Sequence, residues 1–106
     1  MPRYTYTTCV EAGLEFSGGR AVSSGGIFPY NLRATSVEVR LQQFYENDWR
    51  TIGLWTATNS AGRSYAQGSE EIDTGFEYRT YTRGTVYDSN GNVLEVVKFY
   101  SDVKYY

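Results

Sequence analysis

The chain has 106 residues, 41% of them apolar, with eleven Tyr, five Phe, two Trp, one Cys, no His and a net charge of -2. That length fits a single domain, residues 1–106, which buries roughly 65% of the surface of the unfolded chain. The missing histidine removes Ser-His-Asp and Cys-His catalysis and imidazole metal ligands. Eight Arg and two Lys form no basic stripe, which excludes a nucleic-acid partner, and no apolar run approaches the roughly 18 residues of a membrane span.

From the N-terminus, residues 3–10 alternate Tyr4, Tyr6 and Thr8 against Thr5, Thr7 and Cys9, the period of a pleated strand. The lone Cys9 forms no internal disulfide; it is expected as a small buried hydrophobe, the alternative being an exposed thiol that pairs between chains. Leu14 and Phe16 mark a short second segment, and Ser17-Gly18-Gly19 a tight turn into residues 20–24. Gly25, Gly26 and Pro29 are expected to break that strand, leaving Ile27, Phe28 and Tyr30 in a bent strand or a loop.

Residues 35–45 carry the cleanest alternation, with Val37, Val39 and Leu41 on one face and Glu38, Arg40 and Gln42 on the other, as in a central strand with one wet side. Glu46-Asn47-Asp48 turns the chain into a partner strand over residues 49–58 with Ile52, Leu54 and Trp55 as its bulky members. The polar, small composition of residues 59–68 predicts a loop with at most a short edge strand. In residues 75–83, Phe76, Tyr78, Thr80 and Thr82 share the core face while Glu77, Arg79, Tyr81 and Arg83 share the other. Gly84 signals a bulge or close backbone packing. Asn90-Gly91 predicts a type I′ hairpin turn into residues 93–100, and residues 103–106 complete a late-pairing strand after an interruption at Ser101-Asp102.

Seven or eight strands with turn chemistry between them and no helical period predict an all-β fold, a single immunoglobulin-like antiparallel sandwich, with a small barrel as the alternative. Residues 73–78 suggest a tyrosine corner, in which a Tyr hydroxyl caps a backbone group at the start of a late strand. The usual spacing puts that tyrosine at position 77, so a corner on Tyr78 is shifted by one residue or absent.

Taken together, Val37-x-Val39-x-Leu41-Gln42, Trp49 with Ile52 and Trp55, Gly75-Phe76-Glu77-Tyr78-Arg79, Gly84-Thr85-Val86-Tyr87 and Tyr100-Ser101 resemble small secreted proteins of clostridial and bacillar Gram-positive bacteria. The resemblance covers residues 35–101 and implies an immunoglobulin- or fibronectin-like sandwich. Secretion or surface display is also what the composition favours, rich in Tyr, Thr, Ser, Gly and Asn and poor in Lys, although residues 1–20 show no basic-then-apolar signal pattern.

Chemistry is sparse. Glu70, Glu71 and Asp73 cluster in sequence, but a carboxylate hydrolase needs a shaped cleft, and they are expected to form a solvated acidic loop. Asp88-x-Asn90-x-Asn92 imitates the start of a calcium loop, with the glycine two positions early and no closing Glu, so it is expected to be only a hairpin turn. No enzyme activity, cofactor or metal is expected. The expected function is a non-catalytic module that binds or spaces, with a protein or glycan partner. Trp49, Tyr81 and Tyr87 are the candidate aromatic contacts and Arg79 and Arg83 the candidate charged ones. A carbohydrate-binding platform on those aromatics is the alternative, and self-assembly or partner capping through exposed edges at residues 3–10 or 103–106 is the third reading.

Overall fold

The computed structural model describes residues 4–106, and among them there is no helix. Eight strands follow in order: β1 (Thr7–Ser17), β2 (Arg20–Pro29), β3 (Ala34–Tyr45), β4 (Asp48–Asn59), β5 (Ser64–Glu71), β6 (Glu77–Tyr87), β7 (Val93–Tyr100) and β8 (Lys104–Tyr105). They build a three-stranded sheet ordered β1-β2-β5 and a five-stranded sheet ordered β4-β3-β6-β7, where β8 also pairs with β6. All pairings are antiparallel. The chain is therefore a two-sheet sandwich, and the barrel alternative fails because the sheets remain separate.

Alternation places the side chains as expected on the two central strands. Val37, Val39 and Leu41 of β3 and Tyr78, Thr80 and Thr82 of β6 are buried between the sheets, while Arg40 and Gln42 stand opposite Tyr81 and Arg79 on the outer face. Two core clusters result, one of Ile27, Val37, Val39, Ala66, Val86 and Val97, the other of Leu14, Ala21, Leu41 and Tyr78, and Trp55 packs against both. The sheets are tied across the core by Thr80 Oγ1 donating to Ser23 Oγ at 2.8 Å and by Thr35 and Ser64 hydroxyls at 2.7 Å.

Four expectations are corrected. The strand expected over residues 3–10 begins at Thr7 and runs unbroken to Ser17; residue 3 lies outside the described residues. β2 continues through Gly25, Gly26 and Pro29. Gly25 is a spacer, not a breaker: a Cβ there would collide with Thr82 and Val39, as one at Gly84 would with Ile27, so the sheets approach because both lack side chains, while Gly26 faces outward beside Ser64 and Tyr65 of β5. The loop over residues 59–68 shrinks to a turn, and β5 pairs with β2 from Ser64 onward. Its small residues serve packing, since the Trp55 ring occupies the space above Gly68 that a Cβ would need. Cys9 is exposed; partial burial lifts its thiol above the ordinary value, with the Glu11 charge adding to the rise.

The turns also differ in kind. Gly18 and Gly19 have φ of 57° and 79°, and Glu46 and Asn47 have φ of 51° and 66°, so both hairpins close on two residues in the left-handed region. At Asn90-Gly91 only Gly91 has positive φ, at 82°. Gly91 N–H donates to Asp88 O at 3.1 Å and Asp88 N–H to Asn92 O at 2.9 Å, which makes a three-residue turn in place of the expected type I′. The cause is Asp88, whose Oδ1 accepts from the Asn90 and Asn92 amides at 2.9 and 2.8 Å. Those amide bonds, the Asn92 one foremost, hold its carboxyl below the ordinary 3.8.

Tyr78 forms the shifted corner. It is fully buried, its hydroxyl donates to Asp73 O at 2.7 Å, and it accepts from Gln43 Nε2 at 2.9 Å. Gln43 Oε1 in turn accepts from Arg50 Nε at 2.8 Å, so a chain of polar groups closes that end of the core with every step satisfied. The C-terminus docks beside it: Tyr106 N–H donates to Phe76 O at 3.1 Å, and the Tyr106 ring packs on Phe16 at 4.8 Å.

Candidate functional site

The most distinctive surface is the outer face of the five-stranded sheet, and its construction begins with an irregularity in β4. Leu41 pairs with Gly53 but Gln42 with Thr51, so Ile52 is the extra residue of a bulge. A bulge reverses the alternation that follows. Trp55 on one side of it therefore points into the core, whereas Trp49 on the other side points outward beside Phe44, its partner across the Glu46-Asn47 turn.

Trp49 reaches over β3 to Arg79 of β6, whose guanidinium carbon lies 4.3 Å from the Trp49 ring centroid and 4.2 Å from that of Tyr100 on β7. Tyr100 stands opposite Tyr81 in the ladder, and their centroids are 5.0 Å apart at an interplanar angle of 38°. Phe44 closes the other end against Trp49 at 5.2 Å. The result is a row running Phe44, Trp49, Arg79, Tyr100, Tyr81 across four strands, with a cation inserted between aromatic faces. Gln42 fixes the wedge, since Arg79 Nε donates to Gln42 Oε1 at 2.8 Å. Burial lifts the Tyr81 phenol above its ordinary 10.0; Tyr100 adds to the rise, Arg83 opposes it, and Glu38 and Arg40 make smaller contributions of opposite sign. The hydroxyl is accordingly a neutral donor at physiological pH.

Of the five residues expected to make contacts, the fold brings Trp49, Arg79 and Tyr81 together. Arg83 is exposed on the same face, opposite Glu38 and Lys98. Tyr87 is not part of the row: it sits at the far end of β6, roughly 20 Å from Tyr81 at about 3.4 Å per residue, and its hydroxyl is bonded to Ser36 Oγ at 2.8 Å. Phe44 and Tyr100, which the sequence reading missed, complete the site. The signal that would have found them is hairpin register, since each faces a named candidate directly across a ladder.

Chemically the row offers contact area and charge. Its aromatics offer edges and half-exposed area, and on the sheet face around it Arg40 is paired with Glu38 at 3.1 Å while Arg79, Arg83 and Lys98 outnumber Glu77. The outer face of the three-stranded sheet is different, with Gly13, Ser24 and Gly26 along its middle and an Arg20–Glu71 ion pair at 3.6 Å on its rim. An open groove of about 430 Å³ runs beside β1, lined in part by Glu15, Ser24, Gln67 and Lys104. It contains none of the aromatic row. The carboxylates of Glu70, Glu71 and Asp73 do not converge: among the described residues no three Cys, Asp or Glu side chains gather at metal-binding distance. Asp88 spends its carboxylate oxygens on its own hairpin turn. No protein-family model matches the chain, and no curated protein matches it in sequence.

Proposed function

We propose that the chain is a non-catalytic, immunoglobulin- or fibronectin-like binding module that works outside the cell, and that it docks a protein partner on the outer face of the five-stranded sheet. The connectivity supports the first part: a β1-β2-β5 sheet opposite β4-β3-β6-β7, with a buried tyrosine bonded to the backbone upstream of β6, follows the plan of such sandwiches. Its resemblance to secreted Gram-positive proteins and its lysine-poor, tyrosine- and threonine-rich composition support the location.

The observation that carries the binding reading is the half-exposed row of Phe44, Trp49, Arg79, Tyr100 and Tyr81. Trp, Tyr and Arg are the residue types that dominate interface energetics. Here they stand pre-arranged, so little side-chain entropy is lost on contact. The arginine wedge favours a protein over a glycan, because it covers aromatic faces on which a sugar ring would stack. The surplus of cations favours an acidic partner surface, with binding that weakens as salt rises.

Photo-crosslinking tests this reading. A benzophenone side chain at position 44 or 100 is expected to capture a partner from the producing cell's surface proteins, and capture is expected to fall on Arg79→Ala. The same probe at position 15 or 67, on the other sheet, is expected to capture nothing. Equal capture from both faces, or none from either, contradicts the assignment. Retention on an immobilised polysaccharide that disappears with Trp49→Ala would put the glycan reading in its place.

A further inference from the structure

We propose that β4 is a self-pairing edge through which two copies of the chain associate by antiparallel strand addition, an interaction distinct from the aromatic face. Exposed edges present unpaired N–H and C=O groups, and folded proteins blunt them with charges, bulges, proline or covering segments. The other edges of this sandwich are blunted. On β1, Glu11 and Glu15 project, the register shifts between Thr7 and Cys9, and Lys104 Nζ donates to Leu14 O at 2.8 Å. The amides leading into it at Thr5 and Tyr6 are held by the Glu95 carboxylate at 2.9 and 3.1 Å. β7 is irregular beside Val86, carries Glu95 and Lys98, and gives way at Ser101 to the two-residue β8. β5 ends in Glu70 and Glu71.

β4 carries Asp48 and Arg50 ahead of the bulge at Ile52. After the bulge its own sequence has no such protection, the nearest charge being Glu70 of β5 beside Gly53 on the inner side. Its residues 51–58, Thr-Ile-Gly-Leu-Trp-Thr-Ala-Thr, hold no charge and no proline, and its pairing with β3 is regular from Gly53 to Asn59. Leu54 is 51% exposed, and Thr56 and Thr58 are exposed on the same face.

A second copy is the occupant this edge fits. With a two-fold axis at Thr56, Thr56 meets its own copy, Leu54 meets Thr58, and Trp55 meets Ala57. These pairs are compatible in size, and no charge faces a like charge, while a charged foreign strand finds no complement here. The axis runs perpendicular to the sheet, so both aromatic rows come to lie on one side of a continuous sheet. One strand pairing buries less than the roughly 1,200–2,000 Å² of a standard interface, which makes the dimer concentration-dependent.

The test is sedimentation velocity from micromolar to millimolar concentration, with reductant present so that Cys9 forms no disulfide. The wild-type chain is expected to show reversible monomer–dimer exchange. Thr56→Lys sets two ammonium groups against each other and is expected to weaken association roughly tenfold or more, Thr56→Glu likewise, and an equimolar mixture of the two is expected to restore the dimer. Thermal unfolding by circular dichroism confirms that the exposed substitutions leave the fold intact. A strict monomer throughout overturns the proposal. So does a dimer indifferent to Thr56→Lys, or one dissociated by Glu15→Lys on β1 instead.

Discussion

The two faces of β6 put the same residue types to opposite uses. On the inner face Tyr78 is fully buried, its hydroxyl bonded to Asp73 O and Gln43 Nε2, and the Phe16 ring meets it edge-on at 6.0 Å. On the outer face Tyr81 stacks on Tyr100, and Arg79 lies between Tyr100 and Trp49 with its charge near solvent. The hydroxyl's partner separates the roles. A tyrosine bonded to backbone holds a fold together, and one stacked in a half-exposed row is available to a partner.

The comparison is broken most forcefully from the inner side. Tyr78→Ala is expected to lower the unfolding free energy by about 3–5 kcal/mol in urea titration, and Tyr78→Phe by about 1–3 kcal/mol, because the Gln43 amide is left without its acceptor. Next comes Gly84→Ala, whose Cβ meets Ile27; overpacking of this kind costs about 1–3 kcal/mol, read as a shift in the urea midpoint. None of these three inner substitutions touches a residue of the outer row.

The outer face is sharpened by a smaller effect, the alkaline titration of Tyr81. Its folded value is raised, so the linked stability is fully present below the ordinary 10.0 and is lost as pH rises through the folded value. Ultraviolet absorbance is expected to show this phenol ionising later than an unperturbed tyrosine, and earlier in Tyr100→Ala, where a cause of the rise is gone. An unchanged titration in that variant would separate the two rings.

Much of this division was legible in the chain. The alternation of residues 35–45 and 75–83 assigned both faces of β3 and β6 correctly, because a strand between two neighbours has one dry and one wet side and its side chains record that directly. Most of what escaped was non-local. The bulge at Ile52 leaves no periodic trace, yet it turns Trp49 out while Trp55 stays in. β5 resembled a loop because its Ala66 and Gly68 are matched to side chains of the opposite sheet, a fact invisible within residues 59–68. Asn90-Gly91 promised a two-residue turn until the Asp88 carboxylate claimed the amides around it. Tyr100 was overlooked because its place beside Tyr81 depends on that turn's length.

The division of labour on β6 is tested most directly by the unfolding free energy of Arg79→Ala set beside that of Tyr78→Ala. Removing the wedge forfeits two cation–π contacts, together worth about 1–2 kcal/mol at a partly exposed site, so a loss of that size, well below the Tyr78→Ala loss, is the expected result. A loss equal to that of Tyr78→Ala would make the aromatic row a staple of the fold and contradict its assignment as a surface kept for a partner.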